Sequence, residues 1–174
     1  MESDETHEGQ SGQGRGALTG RLLLGVVLAY ALDQATKVWA VARLEGEPSI
    51  EVVPGALSLT FLRNPGAAFG MGASLTVALS LVSVVVVVVV IKMASRLRDV
   101  GWTIGLGLLL AGALGNLTDR LLREPGVLRG HVVDFIDYGP FVGNVADIYL
   151  TFAAVVIIWR SFKGIGLDGS KGVS

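Results

Sequence analysis

Residues 131–147 read HVVDFIDYGPFVGNVAD, and this segment guides the interpretation of the whole chain. It begins with a short β-prone run and ends where an apolar run over residues 148–159 begins. Because a charged side chain in or beside a membrane span is costly, acids in such places usually mark a functional site. We therefore predict that Asp134 and Asp147 meet as a catalytic pair of carboxylates.

The composition indicates an integral membrane protein. Of the 174 residues, 51% are hydrophobic and 17% are charged, and the mean hydropathy is +0.61, which is too apolar for an ordinary soluble domain. A net charge of -1 provides no basic surface for nucleic acid, so that partner is not expected. The sequence has no cysteine, and its two histidines form no HExxH motif. We therefore expect neither a metal nor another cofactor.

Four apolar segments are long enough to cross a membrane. A helix rises about 1.5 Å per residue and needs about 20 residues to span a hydrocarbon core of about 30 Å. The predicted fold is mainly α, a polytopic membrane protein with four transmembrane helices. The approximate spans are 21–42, 75–91, 102–122 and 144–160.

The chain ends are predicted to lie outside a single membrane domain that covers residues 21–163. Residues 1–20 are polar, glycine-rich and acidic, a composition that cannot bury enough apolar surface to order itself. We expect a disordered tail there and a second tail over residues 164–174. A cleavable secretory signal with an A-x-A site at residues 29–31 is the alternative for the first span, but three further spans argue against it.

Residues 43–73 differ in character from the spans on either side. Proline and glycine interrupt this region, and apolar and polar residues alternate over residues 57–62 at the period of a strand. We predict a small β-sheet on the membrane surface. It ends in RNPGAAFG at residues 63–70, where Asn64 and the glycines indicate a tight turn that can approach a ligand closely. A plain turn is the alternative.

The basic residues predict the orientation in the membrane. Of the 14 lysines and arginines, eight lie on the side of both termini, five lie on the opposite side, and Lys37 lies in a span. The positive-inside rule then predicts cytoplasmic termini. With this orientation, polar residues from distant segments converge near the outer leaflet: Asp33, Asn64, Asn116, Asp119, Arg120, Asp134, Asn144 and Asp147.

Two carboxylates held close together share one proton, because both cannot stay charged. An aspartic protease uses this state: one acid takes a proton from the attacking water, and the other donates to the oxyanion and then to the leaving nitrogen. By chemistry alone, Asp137 could replace Asp134 in the pair. The turn sequence Tyr138-Gly139-Pro140 beside Asp137 favours a solvated loop acid instead.

Other polar residues suit supporting roles. Asp33 and Lys37 lie four residues apart on one helix face, where they can form an ion pair that faces the bundle interior. Asn116 and Asn144 can each donate and accept hydrogen bonds, and so can orient the acids and a substrate. Arg120 is suited to fixing the preceding aspartate or to steadying the loop.

At these residues the sequence resembles the lipoprotein signal peptidase family, also called signal peptidase II. Five motifs in order carry the resemblance over nearly the whole chain after the tail: Asp33-Gln34 with Lys37, Asn64–Gly70, Gly115-Asn116 with Asp119-Arg120, Val132–Phe135, and Asn144 with Ala146-Asp147. The resemblance implies four transmembrane helices with a small extracytoplasmic β-cradle between helices 1 and 2. It also implies Asp134 and Asp147 as the catalytic aspartates, and so prefers Asp134 to Asp137.

The resemblance further implies a reaction and its partners. The family removes signal peptides from diacylglyceryl-modified prolipoproteins in the bacterial cytoplasmic membrane, cutting just before the lipidated lipobox cysteine. It needs no metal and is inhibited by globomycin. The expected partners are these substrates and membrane lipids, and a monomer is expected. The expected supporting or substrate-binding residues are Asn64, Asn116, Arg120, Asn144, Asp33, Lys37, Gly66, Phe69 and Asp119.

Two features depart from the family pattern. Gly143 stands where the family usually has phenylalanine just before the asparagine of its last motif, and the connection from Asp134 to Asp147 is short. Phe141 could supply the aromatic ring in a shifted register. These departures concern the lining of the site more than the two acids.

Two functions of other classes are the alternatives. A small proton or cation transporter would also use intramembrane Asp and Lys residues, but the sequence shows no inverted repeat and its acids gather away from the midplane. A membrane assembly subunit with structural ion pairs would need the acids for abundance alone. The peptidase hypothesis predicts instead that Asp134→Asn or Asp147→Asn leaves a folded protein that does not process precursor.

Overall fold

The computed structural model describes residues 5–66 and 72–171. Within them the chain forms four helices and a four-stranded antiparallel sheet, in the order α1 (Glu5–Leu44), β1 (Ile50–Val53), β2 (Leu57–Asn64), α2 (Gly72–Ala94), α3 (Val100–Leu122), β3 (Val132–Asp137), β4 (Val142–Gly143) and α4 (Val145–Phe162). Each helix contains a segment long and apolar enough to cross a membrane. The predicted class, a four-helix membrane protein with a small β-sheet, is confirmed.

Helix α1 begins earlier than the sequence indicates. Its backbone is helical from Glu5, inside the segment for which the composition predicts disorder, whereas its membrane-compatible part begins at Gly20. Once a helix has formed, each further residue adds a hydrogen bond without a new nucleation step. The polar composition limits how much apolar surface this segment can bury, but it does not prevent residues 5–20 from continuing the helix.

Helix α3 occupies the centre of the bundle and packs against the other three helices. Glycines allow its neighbours to approach closely. A side chain at Gly112 would lie 2.8 Å from the carbonyl oxygen of Ala146, and one at Gly105 would lie 3.2 Å from Val156. Small residues are typical of such contacts in membranes, where close packing replaces the hydrophobic effect between helices.

The β-sheet combines two separate connections of the chain. β1 and β2 come from the α1–α2 connection, as predicted, while β3 and β4 come from the α3–α4 connection. The prediction of a sheet between helices 1 and 2 therefore accounts for only half of it. Asn64 pairs with Val132, and Leu62 pairs with Asp134. This register brings the end of β2 beside the acid-bearing segment.

Residues 164–171, which belong to the predicted C-terminal tail, contact the α2–α3 connection and the start of α3. The main-chain nitrogens of Arg98 and Asp99 donate to the carbonyl oxygen of Leu167 at 2.9 and 3.3 Å. Trp102 Nε1 donates to the carbonyl oxygen of Ile165 at 2.8 Å. Main-chain acceptors order this segment, and they leave no signal in the pattern of side chains.

Candidate active site

Asp134 lies on the buried strand β3. Its neighbours Val132 and Val133 are buried, and Asp134 itself is only 2% exposed. Each carboxylate oxygen accepts a hydrogen bond from an amide side chain: Oδ2 from Asn64 Nδ2 at 2.6 Å, and Oδ1 from Asn144 Nδ2 at 2.5 Å. The strand and these two amides hold the carboxylate in one orientation.

Asp147 lies in the first turn of α4, three residues after the N-cap Asn144. The two residues form a capping box, in which Asp147 N donates to Asn144 Oδ1 at 3.1 Å and Asn144 N donates to Asp147 Oδ2 at 3.0 Å. The remaining oxygen, Oδ1, accepts from Asn116 Nδ2 at 3.0 Å. The capping box and Asn116 together therefore hold both carboxylate oxygens of Asp147.

Asn144 connects the two acids. It is fully buried, and its side-chain nitrogen donates to Asp134 Oδ1 and, at 3.2 Å, to Asn116 Oδ1, while its main-chain nitrogen donates to Asp147. The two acids that the sequence singled out are thus brought together on one asparagine. Asn116 completes this hydrogen-bond network, because its side chain bonds to both Asn144 and Asp147.

Lys37 is fully buried and holds this arrangement from α1. Its ammonium group has three acceptors: Asp33 Oδ2 at 3.0 Å, Asp119 Oδ2 at 2.9 Å and Asn116 Oδ1 at 3.0 Å. The ion pair expected between Asp33 and Lys37 is present. The other Asp33 oxygen accepts from Ala146 N at 2.9 Å. Helix α1 therefore contacts the first turn of α4 directly.

Asp119 has a partner that the sequence reasoning missed. Its Oδ1 pairs with Arg123 Nε at 2.6 Å, and its Oδ2 accepts from Val133 N at 3.2 Å in addition to Lys37. The expected option in which Arg120 fixes Asp119 is not realised. Arg123 lies one helical turn after Asp119 on the same face, whereas an adjacent residue points in another direction. The spacing of four residues was the available signal.

The guanidinium of Arg120 lies beside the turn that follows β2. It is buried, and its Nη1 has no hydrogen-bond partner among the described residues. Both Nη atoms lie 3.5 Å from the position that a Gly66 side chain would occupy. Gly66 has a φ of 86°, and its nitrogen donates to Asn64 Oδ1 at 2.8 Å. Glycine permits both this backbone conformation and the close approach of Arg120.

Asp137 and Gly143 occupy the rim of the site, and Phe69 lies outside the described residues. Asp137 is half-buried at the end of β3, and its Oδ1 accepts from Gly139 N at 2.8 Å within the turn. A side chain at Gly143 would lie 3.1 Å from Asp147 Oδ2 and 3.6 Å from the ring of Phe141, which is 60% exposed. An aromatic ring therefore lies close to the place where the family pattern has one.

Burial raises the pKa of Asp134 to about 6. The hydrogen bond from Asn64 acts in the opposite direction, and the negative charge of Asp147 raises the pKa further. Asp134 therefore keeps its proton to a higher pH than an ordinary aspartic acid. The raised pKa of Asp134 suits the member of a carboxylate pair that donates a proton.

A cavity of about 250 Å³ leads from the site between α2, α3 and α4. Its walls are mostly apolar and include Leu79, Val86 and Leu150, while Asn116 and Arg120 line it as well. Such a mixture of apolar walls and a few polar groups is typical of a ligand pocket. Among the described residues, no group of three or more His, Asp or Glu side chains is arranged to hold a metal ion.

Fold and site together define a polytopic membrane enzyme with two acids, the buried Asp134 and the half-buried Asp147, at the junction of a helical bundle and a small sheet. Two solved structures of bacterial membrane enzymes, both determined by the in meso method, are similar. One has a TM-score of 0.70 and 30% identity, over 89% of this chain and 95% of its own. The other has a TM-score of 0.72 and 31% identity, over 83% and 94% of the two chains.

A family model described as signal peptidase (SPase) II matches residues 25–163. The lipoprotein signal peptidase of Streptomyces griseus is 44% identical over 159 residues, which cover 90% of this chain and 81% of the relative. That of Rhodococcus jostii is 45% identical over 154 residues, which cover 87% and 78%. The chain belongs to the signal peptidase II family of proteases and is a multi-pass membrane protein.

Proposed function

We propose that this protein is a membrane aspartic endopeptidase that removes signal peptides from diacylglyceryl-modified prolipoproteins, cutting just before the lipid-bearing cysteine. Family membership and the names of the relatives support the substrate class. The observation that carries the mechanism is the junction at Asn144, which bonds to both Asp134 and Asp147. Lys37 does not support the transporter alternative, because its ammonium group already has three acceptors among the described residues.

The two acids divide the proton transfers between them. Asp147, in the first turn of α4, takes a proton from the water that attacks the scissile carbonyl carbon. Asp134, whose pKa is raised, donates its proton to the carbonyl oxygen as the tetrahedral intermediate forms. When the intermediate collapses, Asp147 gives the proton that it took from water to the leaving nitrogen, one hydroxyl of the intermediate returns its proton to Asp134, and the carbon–nitrogen bond breaks. The donation to the leaving nitrogen belongs to Asp147, and not to Asp134 as expected from the sequence, because the proton of Asp134 has already gone to the carbonyl oxygen.

Neighbouring groups suit the binding of substrate. Arg120 Nη1 is a buried donor without a described partner, and it lines the same cavity as Asn116. A buried donor without an acceptor is costly, so a substrate carbonyl that fills this role gains from the contact. A side chain at Gly66 would lie 2.8 Å from Leu79 and 3.5 Å from the Arg120 guanidinium, so glycine keeps that guanidinium unobstructed. The apolar walls between α2, α3 and α4 suit the hydrophobic residues of a signal peptide.

We place the site near the outer leaflet of a bacterial cytoplasmic membrane, with both termini in the cytoplasm and the protein as a monomer. The excess of basic residues on the side of the termini supports this orientation. The acids and the sheet lie together at the end of the bundle where α1 and α3 finish and α4 begins. A site at that end can receive a precursor whose signal peptide crosses the membrane.

Cleavage of a diacylated lipobox peptide by the purified protein, with a chelator present, tests the proposal. We expect wild-type protein to cleave at the lipidated cysteine, and Asp134→Asn and Asp147→Asn each to lose about 100- to 10,000-fold in rate, because each removes a proton-transfer group. Asp137→Asn is the matched control, since asparagine can still accept the hydrogen bond from Gly139, and it should keep its activity. Normal processing by either dyad variant would refute the mechanism.

A further inference from the structure

A second cavity lies between α1 and α3, and none of the site residues lines it. It has a volume of about 260 Å³ and runs between residues 21–29 of α1 and residues 100–108 of α3. Its lining is almost wholly apolar apart from Arg21 and Thr103, and Thr103 donates its hydroxyl hydrogen within its own helix to the carbonyl oxygen of Asp99. Arg21 is therefore the polar group that this groove offers to a ligand.

The dimensions of the groove fit one hydrocarbon chain. Residues 21–29 cover a length of about 12 Å along the helix, close to half of a hydrocarbon core of about 30 Å. The groove is therefore long enough for much of one acyl chain within a single leaflet.

Charge at the end of the groove identifies the rest of the ligand. Arg21 is exposed and forms no salt bridge within the residues that the structure describes. It lies one residue inside the start of the membrane-compatible part of α1 at Gly20, the depth at which lipid phosphates meet the hydrocarbon. We propose that this groove binds one acyl chain of an anionic phospholipid whose phosphate contacts Arg21.

Glycines at the groove provide a way to fill it. A Cβ atom at Gly25 would meet no atom within 4 Å, and Gly25 lines the groove, so Gly25→Leu is the variant that places a side chain in it. Gly20 has equally open surroundings but does not line the groove, which makes Gly20→Leu the matched control. Arg43 is exposed near the other end of α1. Arg43→Gln is therefore the control for Arg21→Gln.

Lipid titration of the purified full-length protein, followed by native mass spectrometry, tests the proposal with dioleoyl phosphatidylglycerol and dioleoyl phosphatidylcholine. We expect about fivefold tighter binding of the anionic lipid, the ratio that corresponds to ~1 kcal/mol for one basic residue. Arg21→Gln should abolish this preference, and Gly25→Leu should weaken binding of both lipids. Arg43→Gln and Gly20→Leu should behave as wild type, and an unchanged unfolding temperature shows that the variants are folded.

Four results would overturn the proposal. Equal affinity of the wild-type protein for both lipids would remove the role of the phosphate, as would an unchanged preference in Arg21→Gln. Unchanged binding in Gly25→Leu would show that the lipid lies elsewhere. Soluble glycerol 3-phosphate distinguishes a lipid from a free anion. If it displaces the phospholipid at equal concentration, the acyl chain contributes nothing and the groove is not the site.

Discussion

The two ends of the helical bundle both contain ionic groups that are at least partly buried, but their contacts differ. At one end, Asp99 caps α3 and accepts from Arg160 Nε at 2.9 Å, from Arg160 Nη2 and from Trp102 N at 2.8 Å. Burial there opposes ionisation, yet these hydrogen bonds outweigh it and lower the pKa of Asp99. At the other end, the pKa of Asp134 rises to about 6, and Arg120 Nη1 has no described partner.

The contacts at the Asp99 end stabilise the folded protein, whereas those at the Asp134 end leave polar groups able to react with a substrate. The pair of Asp99 and Arg160, the Asp99–Arg160 clasp, joins a carboxylate to the donors of a guanidinium. Few of its polar atoms are therefore left without a partner for a ligand to bind. Around Asp134, amides hold the acid in place without supplying a positive charge. An acid held in this way can keep a proton near neutral pH, which the clasp at the opposite end cannot do.

Replacing Lys37 should produce the largest change in stability. Lys37→Met removes the only described positive charge in contact with Asp33. It leaves Arg123 as the only described positive charge in contact with Asp119. Breaking a buried pair by deleting one partner costs about 3–5 kcal/mol, because the remaining charge stays buried. We expect a loss of this size in the free energy of unfolding measured in detergent micelles, together with loss of peptidase activity.

Lys92→Met provides the control for this variant, since Lys92 is exposed in the last turn of α2. It should change the free energy of unfolding little. If Lys37→Met proved as stable as Lys92→Met, the buried network would not support the site, and the contrast between the two ends would lose its structural basis.

The pH dependence of cleavage tests the raised pKa of Asp134 directly. In the proposed mechanism Asp134 is the proton donor, and its pKa of about 6 keeps it mostly protonated only below that pH. The active form is therefore lost as pH rises, and kcat/KM should fall about tenfold per pH unit above roughly pH 6. Asp137→Asn should show the same profile. A kcat/KM that stays constant from acidic to alkaline pH would remove Asp134 as the donor.

The positions of the main site residues could be predicted because charge in an apolar segment is conspicuous. Lys37, Asp33 and Asp147 each interrupt or adjoin a membrane-compatible run, and the cost of burying them required partners in the bundle. The family motifs added the choice of Asp134 over Asp137. The half-buried position of Asp137 in its turn agrees with that choice, since its carboxylate is occupied by Gly139 N.

The remaining contacts could not be predicted, because main-chain groups or long-range register determine them. Ala146 N donates to Asp33 and Val133 N donates to Asp119, and a peptide nitrogen is present at almost every residue. The pairing of β2 with β3 joins segments about 70 residues apart. The folding of residues 164–171 onto the α2–α3 connection likewise depends on carbonyl acceptors.

A variant of the clasp sharpens the comparison through stability alone. Asp99→Asn keeps a residue that caps a helix well but removes the negative charge that faces Arg160. We expect the free energy of unfolding to fall by about 1–2 kcal/mol, the scale of a hydrogen bond to a charged group, without a change in kcat. Arg98→Gln is the control in the same connection. A clear fall in kcat for folded Asp99→Asn would show that the two ends are coupled.

The smallest change in the free energy of unfolding is expected at the exposed pair of Arg63 and Glu45. A variant of this pair tests how much an ion pair stabilises the protein when it is not buried. The pair has two hydrogen bonds, at 2.9 and 3.0 Å, and therefore resembles the clasp in geometry. Both side chains are about 40% exposed, so water and salt screen the attraction. Glu45→Gln should therefore change the free energy of unfolding by less than about 0.5 kcal/mol, and less at high salt. A loss as large as that of Asp99→Asn would mean that geometry, and not burial, sets the strength of both pairs.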